Sequence, residues 1–170
     1  MKDAVKRIIG LVVLSTVLVS LPDIYASAIV PSAGKRSDQE VTAPDFQLET
    51  IQGKTVSLKD YKGQGVMLFF FATWCPWCRK KINSFIKDYE QYKRENMAIL
   101  VIDVGESQRK VESFATKEGV PFDILLDINM KTAEAYDVVG VPTFILVSGE
   151  GKIVFEGNDV PDRYKSLLSK

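Results

Sequence analysis

Cys75 and Cys78 are the only thiols in this 170-residue chain, and they stand three apart within Trp74-Cys75-Pro76-Trp77-Cys78. At that spacing on the first turns of a helix, two sulfurs lie close enough to close a disulfide and to open it again. Pro76 suits the first helical position, where a missing N–H costs nothing. Cys75 is then expected at the helix N-terminus, beside unpaired N–H groups and the positive end of the helix dipole, which favour thiolate over thiol. Such placement commonly lowers a cysteine from about 8.5 to about 3.5–7.5. Arg79, Lys80 and Lys81 add positive charge nearby. Cys78 falls one turn before Ile82 on an apolar stripe, so it is expected to be the more buried sulfur. Cys75 would be the nucleophile and Cys78 the resolving thiol of an exchange reaction. Trp74, Pro76 and Trp77 flank the pair and are expected to tune its redox balance or touch its substrate.

A second group is Gly140-Val141-Pro142-Thr143-Phe144. A proline opening an apolar strand is compatible with a cis bond. With Pro142 beside the cysteines, the Val141 backbone can pair with an extended segment of another chain, and Thr143 completes the candidate contact set.

Other chemistries are excluded. The chain has no histidine, which removes Ser-His-Asp and Cys-His catalysis and every His-ligated zinc site. Two cysteines cannot make a four-cysteine zinc site within one chain, so no metal is expected. A c-type haem attachment would need histidine after Cys78, where Arg79 stands. The formal net charge is zero, which gives no reason to expect nucleic acid. A purely structural disulfide stays open as a reading, although a bridge across so short a loop constrains the unfolded chain little.

The elements that must hold these residues can be read from periodicity. Residues 1–28 read as an export signal: Lys2, Lys6 and Arg7, then an apolar run from Ile8 to Leu21, then Ala26-Ser27-Ala28 as the cleavage site. An uncleaved membrane anchor is the alternative. Residues 29–42 read as a flexible tether and 43–170 as one domain. Phe46–Thr50 and Thr55–Leu58 suggest a hairpin around Gly53. Val66–Ala72 and Ala98–Val104 are apolar runs that suggest buried strands. The helix from Pro76 to about Glu95 carries Ile82, Phe85, Ile86 and Tyr89 on one stripe. Ser107 is placed to cap a helix ended by Gly119. Phe122–Leu126 suggests a third strand, Met130–Tyr136 a short helix, Thr143–Val147 and Lys152–Phe155 a second hairpin, and Pro161–Ser169 a closing helix. Alternation followed by a hairpin gives an α/β fold with a mixed central sheet flanked by helices.

On these residues the chain resembles the thioredoxin superfamily, and within it the ResA/TlpA-like branch. The likeness runs through Ala43-Pro44-Asp45-Phe46, Gly53-Lys54, the Phe70-to-Cys75 entry, Val104-Gly105-Glu106-Ser107, Ala135-Tyr136-Asp137-Val138 and Val141-Pro142-Thr143. The resemblance implies a thioredoxin-like fold with an N-terminal β-hairpin, a central βα insertion within Ile99–Leu126 and a cis peptide before Pro142. It also implies a periplasmic or membrane-tethered thiol–disulfide oxidoreductase, with no cofactor beyond its Cys75–Cys78 disulfide. Such a protein reduces disulfides in exported proteins, apocytochrome c among them, and draws electrons from a membrane thiol carrier. Three positions depart from the pattern. Lys81 stands where the branch often has an acid, and Phe69 where thioredoxins bury an aspartate. Pro76-Trp77 replaces the dipeptides common in reductases. Glu106 is the substitute acid–base candidate. A disulfide donor and a non-catalytic binding or chaperone module are the competing functions. A peroxiredoxin-type peroxidase would need Pro at Leu68 and Thr at Ala72.

Overall fold

The computed structural model describes residues 41–168, apart from Asn96 and the side chain of Lys93. The export signal and most of the tether read from the sequence lie outside the described residues. Strands β1 (Val41–Thr42), β2 (Gln47–Thr50), β3 (Thr55–Ser57) and β4 (Val66–Phe71) come first, with a 3-10 turn at Leu58–Tyr61. Then follow α1 (Pro76–Arg94), β5 (Ala98–Val104), α2 (Gln108–Glu118), β6 (Ile124–Asp127) and α3 (Lys131–Ala135). The chain closes with β7 (Thr143–Val147), β8 (Lys152–Gly157) and α4 (Tyr164–Leu168).

Among the described residues the eight strands form one sheet in the order β1-β8-β7-β4-β5-β6-β2-β3. The pairs β4–β5 and β5–β6 are parallel and the rest antiparallel. Parallel neighbours need a crossover, and α1 and α2 supply it. The central βα insertion expected within residues 99–126 corresponds to the stretch holding α2 and the start of β6.

Every residue of β4 is buried because both faces of the sheet are covered. Met67, Phe69 and Phe71 face a cluster with Cys78, Ile82 and Phe85 of α1 and Val111 and Phe114 of α2. Val66, Leu68 and Phe70 face Phe46, Ala133 and Tyr136 on the other side. Phe69 stacks on Phe144 with ring centroids 4.5 Å apart and meets Phe85 edge-on at 5.4 Å. Each such ring contributes roughly 1.5–3 kcal/mol by burial. On the second face the Tyr136 hydroxyl donates to the Pro44 carbonyl at 2.5 Å, which joins two of the sequence phrases that carry the resemblance.

Two glycines act through backbone geometry. Gly119 ends α2 in the left-handed region at φ 67°, and its N–H bonds the Ala115 carbonyl. Gly105, at φ 78°, lets the chain turn off β5, and a Cβ there would meet Met130 Sδ at 3.2 Å. Ser107 stands at the N-cap of α2 but makes no side-chain cap bond.

Some boundaries differ from the sequence reading. Val41 and Thr42, read from the sequence as tether, are already in a strand, because they pair with Ile153 and Lys152. Strand β6 starts at Ile124, where its pairing with Val101 begins. Helix α4 starts at Tyr164 rather than Pro161 because Pro161–Arg163 forms a turn, with Tyr164 N–H donating to Pro161 O at 3.0 Å. Among the described residues no helix is long and apolar enough to cross a membrane.

Candidate active site

The parallel strands β4, β5 and β6 end on one side of the sheet, where β7 begins. Loops at this carboxyl edge are the usual location for a site. They carry the cysteine motif, Glu106, Met130 and the Val141–Pro142 segment.

Cys75 is the N-cap of α1 and Pro76 its first residue. The Cys75 sulfur accepts the Cys78 backbone N–H at 3.2 Å, as an oxygen would in an ordinary cap. On its other side the thiol lies 3.7 Å from the Val141 carbonyl, which it reaches as a donor. The Val141–Pro142 bond is cis. Thus the two signals, 66 residues apart, meet at one sulfur. Both thiols are free. Cys75 retains 4 % of its surface and Cys78 none, in the order expected from the helix stripe. Burial, reinforced by the neighbouring Cys75, pushes the Cys78 thiol up to about 12.

The flanking residues divide by exposure. Trp74 and Trp77 are each 66 % exposed, and Lys80 Nζ sits 4.4 Å from the centre of the Trp77 ring. Pro142 is half-buried, and its carbonyl accepts from Asn158 at 3.0 Å. Thr143 is buried, with its hydroxyl donating to the Gly140 carbonyl at 2.7 Å, so its side chain holds the loop rather than facing outward. Lys81 pairs with Asp159 at 2.5 Å.

Glu106 is buried and fully engaged. Its carboxylate accepts the Thr73 N–H at 2.5 Å, the Thr73 hydroxyl at 3.0 Å and the Lys110 ammonium. Burial alone would raise its pKa, but the bonds from Lys110 and Thr73 outweigh it and hold the carboxyl below its ordinary value. Thr73 stands two residues before Cys75, and its carbonyl accepts Arg79 Nε at 3.0 Å. Glu106 therefore braces the loop that carries Cys75.

Asp103 is the residue that the sequence reading passed over. It is completely buried on β5, and neither carboxyl oxygen has a hydrogen-bond partner. Burial first, and the adjacent Glu106 second, push it up to about 8. One signal was visible in the sequence: a lone acid within the apolar run Ala98–Val104.

Two clefts of about 370 and 420 Å³ border Tyr61 and Gln64 at the opposite end of the sheet, away from the cysteines.

Residues 40–156 match the model of the AhpC/TSA family. The chain is 41 % identical over 123 residues to thiol-disulfide oxidoreductase ResA of Bacillus subtilis, covering 72 % of this chain and 69 % of that protein. The ResA protein of Geobacillus thermodenitrificans is 38 % identical over 112 residues, with 66 % and 64 % covered. Among solved structures, the thioredoxin domain of a thiol-disulfide oxidoreductase from Bacteroides vulgatus superposes with a TM-score of 0.66 at 28 % identity, covering 76 % of this chain and 95 % of that one. A thiol:disulfide interchange protein from a Bacteroides species gives 0.65 at 27 %, with 78 % and 91 % covered.

Proposed function

Given that this chain belongs to the AhpC/TSA family and is a thiol–disulfide oxidoreductase of the ResA type, we propose that it works outside the cytoplasm as a reductase of disulfides in exported proteins, apocytochrome c among them. The observation that carries this reading is the Cys75 sulfur, capped by the Cys78 N–H at the start of α1 and facing Val141. Export is supported by the basic start, the apolar run from Ile8 to Leu21 and the small-residue site Ala26-Ser27-Ala28. The absence of Pro at Leu68 and Thr at Ala72 argues against peroxide chemistry.

The Cys75 thiolate attacks one sulfur of a substrate disulfide. A Cys75–substrate bond forms, the substrate S–S bond breaks, and the departing substrate sulfur takes a proton. Formation of the mixed disulfide removes the charge on Cys75 that had helped hold the Cys78 proton. Cys78 then loses its proton to solvent and attacks Cys75. The second substrate thiol leaves, and two electrons have passed from the protein dithiol to the substrate. A membrane thiol carrier restores the dithiol. The cycle needs no cofactor beyond the two cysteines.

Replacing Cys78 with Ser in the native host removes the resolving step, so mixed disulfides persist on Cys75. Exported proteins, with apocytochromes among them, are the expected adducts; an empty Cys75 refutes the reading. The direction of electron flow is read from the reduction potential. A value near about −270 mV belongs to a reductase, and one near about −120 mV to a disulfide donor.

A further inference from the structure

Among the described residues Asp103 alone buries side-chain oxygens that lack a hydrogen-bond partner. It pairs with Phe71 on β4 and Leu126 on β6. Alternation along β5 puts it on the face of Val101, beneath α1 and α2. Glu106 and, on α2, Lys110 are the charged groups that act on it. From α1 the titratable and charged groups at this end are Cys75, Cys78 and Arg79, the last engaged with the Thr73 carbonyl. Strands β4 and β6 offer no titratable group on this face; Asp127 turns to the other side, where it accepts the Thr132 and Ala133 N–H groups.

Burial strongly disfavours the Asp103 carboxylate, and the Glu106 N–H offsets only part of that cost, so Asp103 holds its proton at neutral pH. Glu106 beside it is ionised and bound by Thr73 and Lys110. Taking the dithiol reading above as its premise, we propose that Asp103 is a positioning residue of the redox site that must stay protonated. Neutral Asp103 allows Glu106 to remain an undisturbed carboxylate that braces Thr73 and, through it, the Cys75 loop. Ionised Asp103 sets two like charges side by side, weakens that brace and disfavours the Cys75 thiolate. The position of Asp103's titration, raised to about 8, puts this transition just above neutrality. Coupling of this kind is reciprocal, so the redox state of the cysteines must in turn shift the titration of Asp103.

Two measurements on the full chain test this. The rate of Cys75 alkylation by iodoacetamide is followed from pH 5 to 10 in wild type, Asp103→Asn and Glu106→Gln. Wild type should show a second inflection near pH 8, worth about fivefold, the low end of such couplings. Asp103→Asn should abolish it, and Glu106→Gln should move it to lower pH. The Asp103 carboxyl is also followed by carbon-13 NMR in the reduced and disulfide forms of wild type, which keeps the test decisive if a variant fails to fold. Its titration should differ by about 0.7 pH unit between them, the same fivefold. An inflection that persists in Asp103→Asn, or one Asp103 titration common to both redox forms, overturns the proposal. Should Cys75 be unreactive at every pH, the dithiol reading itself fails instead.

Discussion

Two cysteines three residues apart lie in surroundings that differ at the scale of a few atoms. Cys75 caps the helix and reaches the Val141 carbonyl with a sliver of its surface still open; Cys78 is sealed inside, and burial keeps its proton on. The sign of the resulting pH dependence follows. Below about 9, the thiol's ordinary value, folded and unfolded chains both hold the proton, and Cys78 contributes no slope. Between about 9 and 12 the unfolded chain has lost it and the native state has not, so stability falls as pH rises. In a Cys75→Ser background, Cys78→Ala should remove up to about 1.4 kcal/mol of that loss per pH unit, measured by denaturant melts from pH 8 to 11. At this scale the sequence was informative about sulfur and less so about oxygen. Helix-start chemistry located both cysteines. The acid–base guess reached Glu106, but three donors commit that carboxylate to the Thr73 loop. Asp103 was hidden because a strand's inward face is invisible until its neighbours are known.

The element that matters most is β4, which delivers Thr73 and the cysteines to the carboxyl edge. Its run of Val, Met, Leu and three Phe residues was legible as a doubly covered strand, since no position could tolerate water. Phe69 occupies the place where thioredoxins bury an aspartate, and its ring completes the stack with Phe144 and Phe85. Phe69→Ala should cost about 3–5 kcal/mol, read from the denaturant midpoint, through the cavity left between β7 and α1. Element ends were harder to read. The short β1 has no periodicity of its own and exists only because β8 lies beside it. The first residues of the expected closing helix form a turn instead, and local propensity does not report which of the two the packing selects.

On the whole molecule, exposed large apolar side chains are distributed unevenly. Of six among the described residues, Trp74, Trp77, Ile128, Met130 and Val139 lie on or next to the loops at the cysteine end, and only Val41 lies elsewhere. So lopsided an arrangement suits contact with another polypeptide, since scattered apolar residues would need no explanation. Serine at both Ile128 and Val139 should raise KM for a disulfide-bonded protein substrate about tenfold, the scale of an interface anchor. The same variant assayed with a small aromatic disulfide separates lost docking from an altered thiol, because docking loss falls mainly on the protein substrate.

At one border of the sheet the outermost strand, β3, is a stub of three residues that runs straight into a 3-10 turn. Long bare edges invite foreign strands to add on and propagate. With that border cut this short, an intruding strand finds almost no ladder to climb beyond β3.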